Sequence, residues 1–320
     1  MLTKTLGRDG PAVSAVGFGA WEISIDAEDG RAIDAIRGGV DAGMTWVDTA
    51  EVYGMGRSEE LVARALEGRP DILVVTKVWH DVHGTLTADV VRAAAEASLE
   101  RLGRDAIDLY LVLEPEPSRS IEETWEAMAA VADEGLARLI GVSNFSAQQV
   151  ERCERVRHVD AVENQFSLIY REKHEALREH CVRAGTAFIA YGPLALGLLT
   201  GKVDPVRSFS ATSWGRGKSA DQLSAYQRSL FGPGDLERHI TYVERLKPLA
   251  ARARLPLAQV ALAWVVGQDD FTLAIAGSTS VENARSNAAA GSVELEPWIL
   301  EQLAALRVKR RPTRALEPGR

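Results

Sequence analysis

The chain alternates between two periods. From Ala15 onward, short runs of Val, Ile, Leu and Ala recur between longer stretches whose apolar residues repeat at helical spacing. The runs are Ala15–Gly19, Thr45–Val47, Ile72–Thr76, Ile107–Leu113, Leu139–Val142, Asp160–Glu163, Phe188–Ala190 and Thr272–Ile275. Near-continuous apolar strands belong to a parallel sheet covered on both faces, and a helix after each one supplies the crossover. Eight such units in one chain predict an α/β fold, a single (β/α)8 TIM-barrel domain over residues 1–320. A short hairpin over Thr3–Ser14, turning at Gly7-Arg8-Asp9-Gly10, precedes the barrel.

The helix ends carry their own signals. Asp26 is placed to cap the first helix and Gly43 to stop it; Glu59 and Glu60 sit in the first turn of the second. Ser120 with Glu123 and Ser146 with Gln149 read as capping boxes, and Gly103 and Gly135 as stops. Gly192–Gly234 breaks the rhythm. It is rich in Gly, Ser and Pro, carries Trp214, Arg216 and Lys218, and reads as a long lid loop after the seventh strand. Helices near Leu236–Arg252 and Leu257–Val266 follow, and residues 307–320 read as a flexible basic tail.

Composition limits the function classes. A net charge of −8 argues against an extended nucleic-acid or anionic-membrane surface. The two cysteines, Cys153 and Cys181, lie far apart in helical patterns, which excludes a disulfide framework and a CxxC zinc site. No metal site is expected. The chain opens without a basic-then-apolar leader, and its longest apolar stretch, Thr186–Leu199, is broken by Gly192, Pro193 and Gly197. A cytoplasmic protein of open oligomeric state is the expectation.

In a barrel of this kind the active site lies at the C-terminal ends of the strands. Those ends are Gly19–Trp21, Asp48, Lys77, Leu113–Glu114, Ser143–Asn144, Glu163, Tyr191 and Gly277–Thr279, with Tyr53 in the loop after Asp48. An ammonium at Lys77 beside Tyr53 favours the phenolate, and Asp48 can hold that ammonium in place. A buried Asp–Lys pair serves a purely structural role equally well, so spacing alone does not decide.

The stretch AGMTWVDTAEVYG (42–54) resembles the aldo-keto reductase signature. Thr76-Lys77-Val78-Trp79, IDLYLVLEP, IGVSNF at 140–145, AYGPLALGLLTGK at 190–202 and IAGSTSVENARSNA at 275–288 occur in family order over nearly the whole chain. The PLALGLLTGK segment is most similar to the bacterial branches close to the potassium-channel β-subunits. The resemblance implies A-face hydride transfer from NADP(H) to a carbonyl or polarised alkene, with no Rossmann GxGxxG. It makes Tyr53 the general acid and Asp48 and Lys77 its tuning pair. Gly19, Ala20, Trp21 and Asp48 would be among the cofactor-binding residues. Ser143, Asn144 and Glu163 would meet the carboxamide, and Tyr191 would stack on the ring. Gly192, Pro193, Leu194, Leu196, Gly197 and Leu198 would follow the pyrophosphate, with Lys202 near the phosphates. Gly277, Ser278, Thr279, Asn283 and Asn287 would hold the adenosine end. Trp21, Tyr53, Trp79 and Leu113 would face the substrate.

Three positions depart from the family pattern. Leu113 stands where a histidine usually orients the carbonyl; one positioned proton-handling group contributes about 10²–10⁴ in rate. Glu114, His80 and His83 are the nearest replacements, and each reads better as a surface residue. Glu163 stands where a glutamine is expected, and a carboxylate accepts but cannot donate. Thr279 stands where an arginine would meet a 2′-phosphate, leaving Lys202, Arg285 and Arg216 as partners and NAD(H) as an alternative. Because of Leu113, a cofactor-binding regulatory or sensor protein with little turnover is the competing function.

Overall fold

The computed structural model describes residues 1–308 apart from 26, 173, 204–223 and 233. The cap expected at Asp26, the lid residues Trp214, Arg216 and Lys218, and the tail beyond 308 lie outside the described residues. The chain divides into two compact units: Met1–Leu194 with Ala258–Leu295, and Ala195–Leu257 with the residues from Glu296 onward.

The first unit is the barrel. An antiparallel hairpin, β1 (Thr3–Thr5) and β2 (Ala12–Ser14), leads into eight parallel strands. These are β3 (Val16–Gly19), β4 (Trp46–Asp48), β5 (Leu73–Val78), β6 (Ile107–Val112), β7 (Ala137–Ser143), β8 (Ala161–Gln165), β9 (Ala187–Tyr191) and β10 (Thr272–Ile275). Neighbours pair in sequence order, and β10 closes the ring between β9 and β3. The fold expected from the apolar runs is the one observed.

Strand periodicity explains the interior. Alternate side chains Trp46, Val75, Leu109, Leu111, Ala161, Ala187, Ile189 and Leu273 form one buried cluster. Leu6 and Val13 of the hairpin join it, and the Trp46 indole Nε1 donates to Ser14 O at 2.9 Å, so the hairpin seals the apolar layers. A Cβ on Gly17 would lie 2.3 Å from the Trp46 ring, so the absence of a side chain there makes room for the indole. One step further along the same inward rows stand Asp48, Lys77, Leu113, Glu163 and Tyr191. Among the described residues these inward rows thus turn polar at the C-terminal rim.

Outside the strands lie α1 (Asp29–Asp41), α2 (Arg57–Ala65), α3 (His80–His83), α4 (Ala88–Leu102), α5 (Ile121–Asp133), α6 (Ala147–Glu154), α7 (Glu175–Ala184), α10 (Leu257–Val266) and α11 (Val281–Ala290). Both capping boxes form as expected, and Gly103 and Gly135 adopt positive φ. Glu59 and Glu60 stand in the first turn of α2 as expected, and Glu59 does more. It is fully buried, accepting from Thr76 Oγ1 at 2.6 Å and from Arg101 Nε at 2.6 Å, so it braces α2 between β5 and α4 as well as facing the helix dipole.

The second unit contains a 3-10 turn (Leu198–Thr200), α8 (Ala225–Phe231), α9 (Asp235–Ala253) and α12 (Pro297–Ala305). The lid segment is therefore not structureless throughout: Ser224 and Gln227 make a capping box that starts α8. His239 Nδ1 lies 2.9 Å from Leu230 O, linking α9 to α8, and Arg252 sits over the Trp298 ring at 4.1 Å, linking α9 to α12. Among the described residues no single helix is long and apolar enough to cross a membrane.

Candidate active site

The rim is built around Lys77. Its Nζ is completely buried and donates to Asp48 Oδ2 at 2.5 Å and to Thr49 O at 3.0 Å. Glu163 Oε2 lies 3.3 Å from the same nitrogen and lacks a well-aligned hydrogen bond. The Asp48 and Glu163 carboxyls are within hydrogen-bonding reach of each other. Adjacent strands β4 and β5 bring the first pair together, and β8 reaches the ammonium across the barrel interior.

Tyr53 lies over this cluster, its ring centroid 5.4 Å from Lys77 Nζ. The loop that holds it is fixed by its own backbone, Tyr53 N donating to Ala50 O and Ser58 N to Tyr53 O. Burial works against the Lys77 ammonium, but the Asp48 and Glu163 carboxyls outweigh it and hold lysine charged beyond its usual range. The expectation of an acidified tyrosine is corrected here. Burial pushes the Tyr53 phenol up; Lys77 pulls it down by less, and Asp48 and Glu163 add to the rise. Tyr53 therefore stays protonated, the form in which a phenol gives a proton.

Burial also raises both carboxyls. Asp48 makes the 2.5 Å bond to the ammonium and is the ionised partner; Glu163, buried and facing Asp48, is held far above the carboxylate range. A protonated carboxyl donates as well as accepts. The inability to donate expected at position 163 does not hold for the acid form.

Four strand ends, those of β6, β7, β8 and β9, form one polar shelf. Ser143 Oγ donates to Glu163 O at 2.9 Å, and Asn144 N donates to the same oxygen at 3.0 Å. Asn144 has φ of 63°, a left-handed backbone unusual for a side-chain-bearing residue. Its Nδ2 donates to Leu113 O at 3.0 Å, and the Tyr191 hydroxyl donates to its Oδ1 at 2.8 Å. Leu113 is half-buried and contributes only backbone atoms to this network; Glu114 points to solvent, as period two requires.

His80 and His83 stand on the helical turn α3 where an open loop was expected; His83 is exposed, as a surface residue should be, and His80 is half-buried. His83 Nε2 lies 2.9 Å from Glu51 Oε2, while Glu51 Oε1 accepts from Trp79 N at 2.9 Å. This buried Glu51 bridge beneath Trp79 was not legible in the sequence, because only the turn of α3 brings residues 51 and 83 together. Gly19, Ala20 and Trp21 line the opposite side of the rim. Ala20 N donates to Asp48 O at 2.8 Å, and Trp21 is 37% exposed. Glu22 follows, its carboxyl raised to about 7 by burial alone.

Gly277 approaches Gly19 so closely that a Cβ on it would meet Gly19 O at 2.6 Å. Ser278, Thr279 and Ser280 lead into α11: Ser278 Oγ accepts from Ser280 N at 3.0 Å, and Ser280 caps the helix through Asn283 N. Asn287 is buried along α11, while Asn283 is exposed. Gly192, Pro193 and Leu194 follow β9 in the barrel unit. Leu196, Gly197, Leu198 and Lys202 belong to the second unit. There Ala195, Leu196 and Gly197 have φ of 49°, 51° and 90°, three consecutive left-handed residues. Strain of this kind concentrates at ligand clamps.

The aldo/keto reductase family profile matches residues 15–307. A probable aldo-keto reductase 1 from Glycine max is 31% identical over 93% of this chain and 86% of its own length. The aldo-keto reductase YhdN of Bacillus subtilis is 31% identical over 87% of this chain and 85% of its own. Among solved structures, an aldo/keto reductase from Klebsiella pneumoniae in complex with NADP and acetate superposes with a TM-score of 0.74 at 28% identity, covering 95% of each chain. A glycerol dehydrogenase from Gluconobacter oxydans, at 24% identity and a TM-score of 0.82 over 95% of this chain and 94% of its own, shares the fold. With a closed eight-stranded barrel, an Asp–Lys pair beneath a rim tyrosine, and these likenesses over almost its whole length, the chain belongs to the aldo/keto reductase family.

Proposed function

We propose that the protein is an NADP(H)-dependent oxidoreductase that reduces a carbonyl or polarised alkene, with Tyr53 as proton donor. The observation that carries this reading is the Asp48–Lys77 pair, buried at 2.5 Å under the Tyr53 ring. A buried ion pair is weak support for stability, because desolvation offsets its attraction. Placed beneath a protonated phenol at the mouth of a barrel, it supplies a fixed positive charge to the phenolate formed when Tyr53 gives up its proton.

The rim fits a nicotinamide. Ser143, Asn144 and Glu163 stand side by side as polar groups, and Glu163 Oε2 is a buried oxygen without a well-aligned partner. Tyr191 presents a ring beside them, and Gly19 and Gly277 leave the backbone open where side chains would intrude. The α11 N-terminus, with Ser278 and Thr279, suits the anionic adenosine end. The Klebsiella relative's NADP favours the phosphorylated cofactor; Thr279, lacking a positive charge, keeps NADH as the alternative. The bound dinucleotide supplies the hydride. The chain's own part is to hold the carboxamide on the shelf and to place Tyr53 Oη against the substrate oxygen. Trp21 and Trp79 then flank the substrate, with Leu113 as an apolar wall.

The test is stopped-flow oxidation of bound NADPH across an aldehyde and ketone panel. Tyr53→Phe is expected to lower the rate by about 10²–10⁴ while leaving NADPH binding in place. No turnover with any substrate, together with an unchanged Tyr53→Phe variant, refutes the reading. A regulatory, slowly turning protein is favoured by one observation: Leu113 brings no proton-handling group to the rim. Leu113→His separates the two. A rate gain of about 10² marks an attenuated reductase, and no gain marks a chain whose chemistry does not use that position.

A further inference from the structure

We infer that Glu163 is held as a neutral carboxylic acid, its proton shared with Asp48, and that in this form it is a positioning residue that presents both a donor and an acceptor to the nicotinamide carboxamide. The inference rests on the reductase reading for the identity of the cofactor; the state of Glu163 itself rests on the apoprotein alone.

Geometry carries it. Two carboxyls and one ammonium share a space from which water is excluded: Asp48 is 2% exposed, Glu163 3% and Lys77 0%. One positive charge neutralises one carboxylate. It is committed to Asp48 at 2.5 Å, while Glu163 stands at 3.3 Å without a well-aligned bond. A second carboxylate in contact with the first would be an unpaired buried charge beside a like charge, and such pairs resolve by sharing a proton. The remaining neighbours do not supply the missing charge. Tyr53 above the cluster and Tyr191 from β9 are both raised by burial and stay neutral, and Glu114 beyond Tyr191 is another acid. Glu22, beside Gly277 across the rim, is an acid as well. Among the described residues Lys77 is the one cation within ion-pair distance of Glu163.

The consequence is chemical mimicry of an amide. Ionised, Glu163 offers only acceptors. Protonated, it offers one O–H and one C=O on a planar group, as a glutamine does. The shelf beside it is already committed: Asn144 Nδ2 is bonded to Leu113 O and to Ser143 Oγ, and its Oδ1 receives the Tyr191 hydroxyl. The acid form of Glu163 therefore completes the carboxamide site, and its ionisation in alkali empties it of a donor and adds a negative charge.

Two measurements test this. Infrared difference spectra of apoprotein at neutral pH, wild type minus Glu163→Gln and with ¹³C-glutamate labelling, are expected to show a protonated-carboxyl C=O band that shifts with the label. Absence of that band in protein that still binds NADPH overturns the inference and leaves the reductase reading intact. NADPH titrations by protein fluorescence across pH read the second half. Wild-type affinity is expected to fall by about tenfold per pH unit above the Glu163 ionisation, the slope for one required proton. Glu163→Gln is expected to match wild type within about threefold at neutral pH and to lose that fall. Glu22→Gln controls for the other rim acid and is expected to retain it. A wild-type profile that is flat, or one flattened by Glu22→Gln and not by Glu163→Gln, overturns the positioning role. Failure of wild type to bind NADPH at any pH refutes the cofactor reading and the positioning role together. If Glu163→Gln does not fold, the labelled wild-type spectrum titrated with pH reads the protonation of Glu163 directly, and a labelled band already lost at neutral pH overturns the inference.

Discussion

At the scale of residues, the rim is a problem in charge balance. Asp48 and Lys77 stand together as their strand-end positions indicate: β4 and β5 are adjacent, Asp48 is in register with Val75, and Lys77, one inward step beyond it, bonds the carboxylate through its long side chain. The sign of the shift at Tyr53 was not legible, since burial and the second carboxyl appear only when β8 faces β5. The Glu51–His83 bridge escaped for a similar reason. Glu163 also makes a prediction about stability. Its folded-state value is raised, so folding takes up a proton above the ordinary glutamate range. The contribution is fully present at acid pH and is lost as pH rises toward the raised value, at up to about 1.4 kcal/mol per pH unit. Glu163→Gln should therefore flatten the decline in apoprotein Tm as pH rises from the ordinary glutamate range toward the raised value. A variant whose Tm declines as steeply as wild type counts against a buried acid at this position.

At the scale of elements, strands and most helices follow from periodicity and caps. The barrel strands declare themselves as apolar runs, although their ends shift: β5 continues through Lys77 to Val78 because its partner β6 supplies matching hydrogen bonds. The helices α8 and α12 were hidden by composition. Ser224 and Gln227 cap α8 within a Gly- and Ser-rich stretch, and Pro297 opens α12 from its first turn. Caps invite a direct test. Ser120→Ala removes the acceptor for Glu123 N and frees its side-chain partner, and should cost about 1 kcal/mol in urea unfolding. Gly141 is more demanding. A Cβ there would lie 2.3 Å from Ala161 O and 2.6 Å from Leu111 Cδ2, between β7 and both of its neighbours. Gly141→Ala should destabilise by more than the cap mutant, because backbone and not a flexible side-chain tip must yield. Equal urea midpoints for the two variants would show that β7 has more room than its register indicates.

At the scale of the whole molecule, the barrel unit is assembled from two separated lengths of chain, with residues 195–257 intervening between β9 and β10. The hairpin contributes at this scale too: Leu6→Ala opens a cavity in the buried cluster that Leu6 shares with the barrel strands and should cost about 2–5 kcal/mol. Ring closure depends on β10, which pairs Ala274 with Val16 on one side and with Ala190 on the other. Until β10 exists, β3 and β9 both present unpaired backbone edges, the feature by which nascent sheets find wrong partners. Thr272 follows Gly19 by 253 positions (272 − 19). At ribosomal speeds of about 5–20 residues per second, the first barrel strand waits roughly 13–50 seconds for its closing neighbour to be synthesised. A sheet formed from β3–β9 before then would be open and seven-stranded with two unpaired margins, and the same late strand that completes the rim would end that exposure.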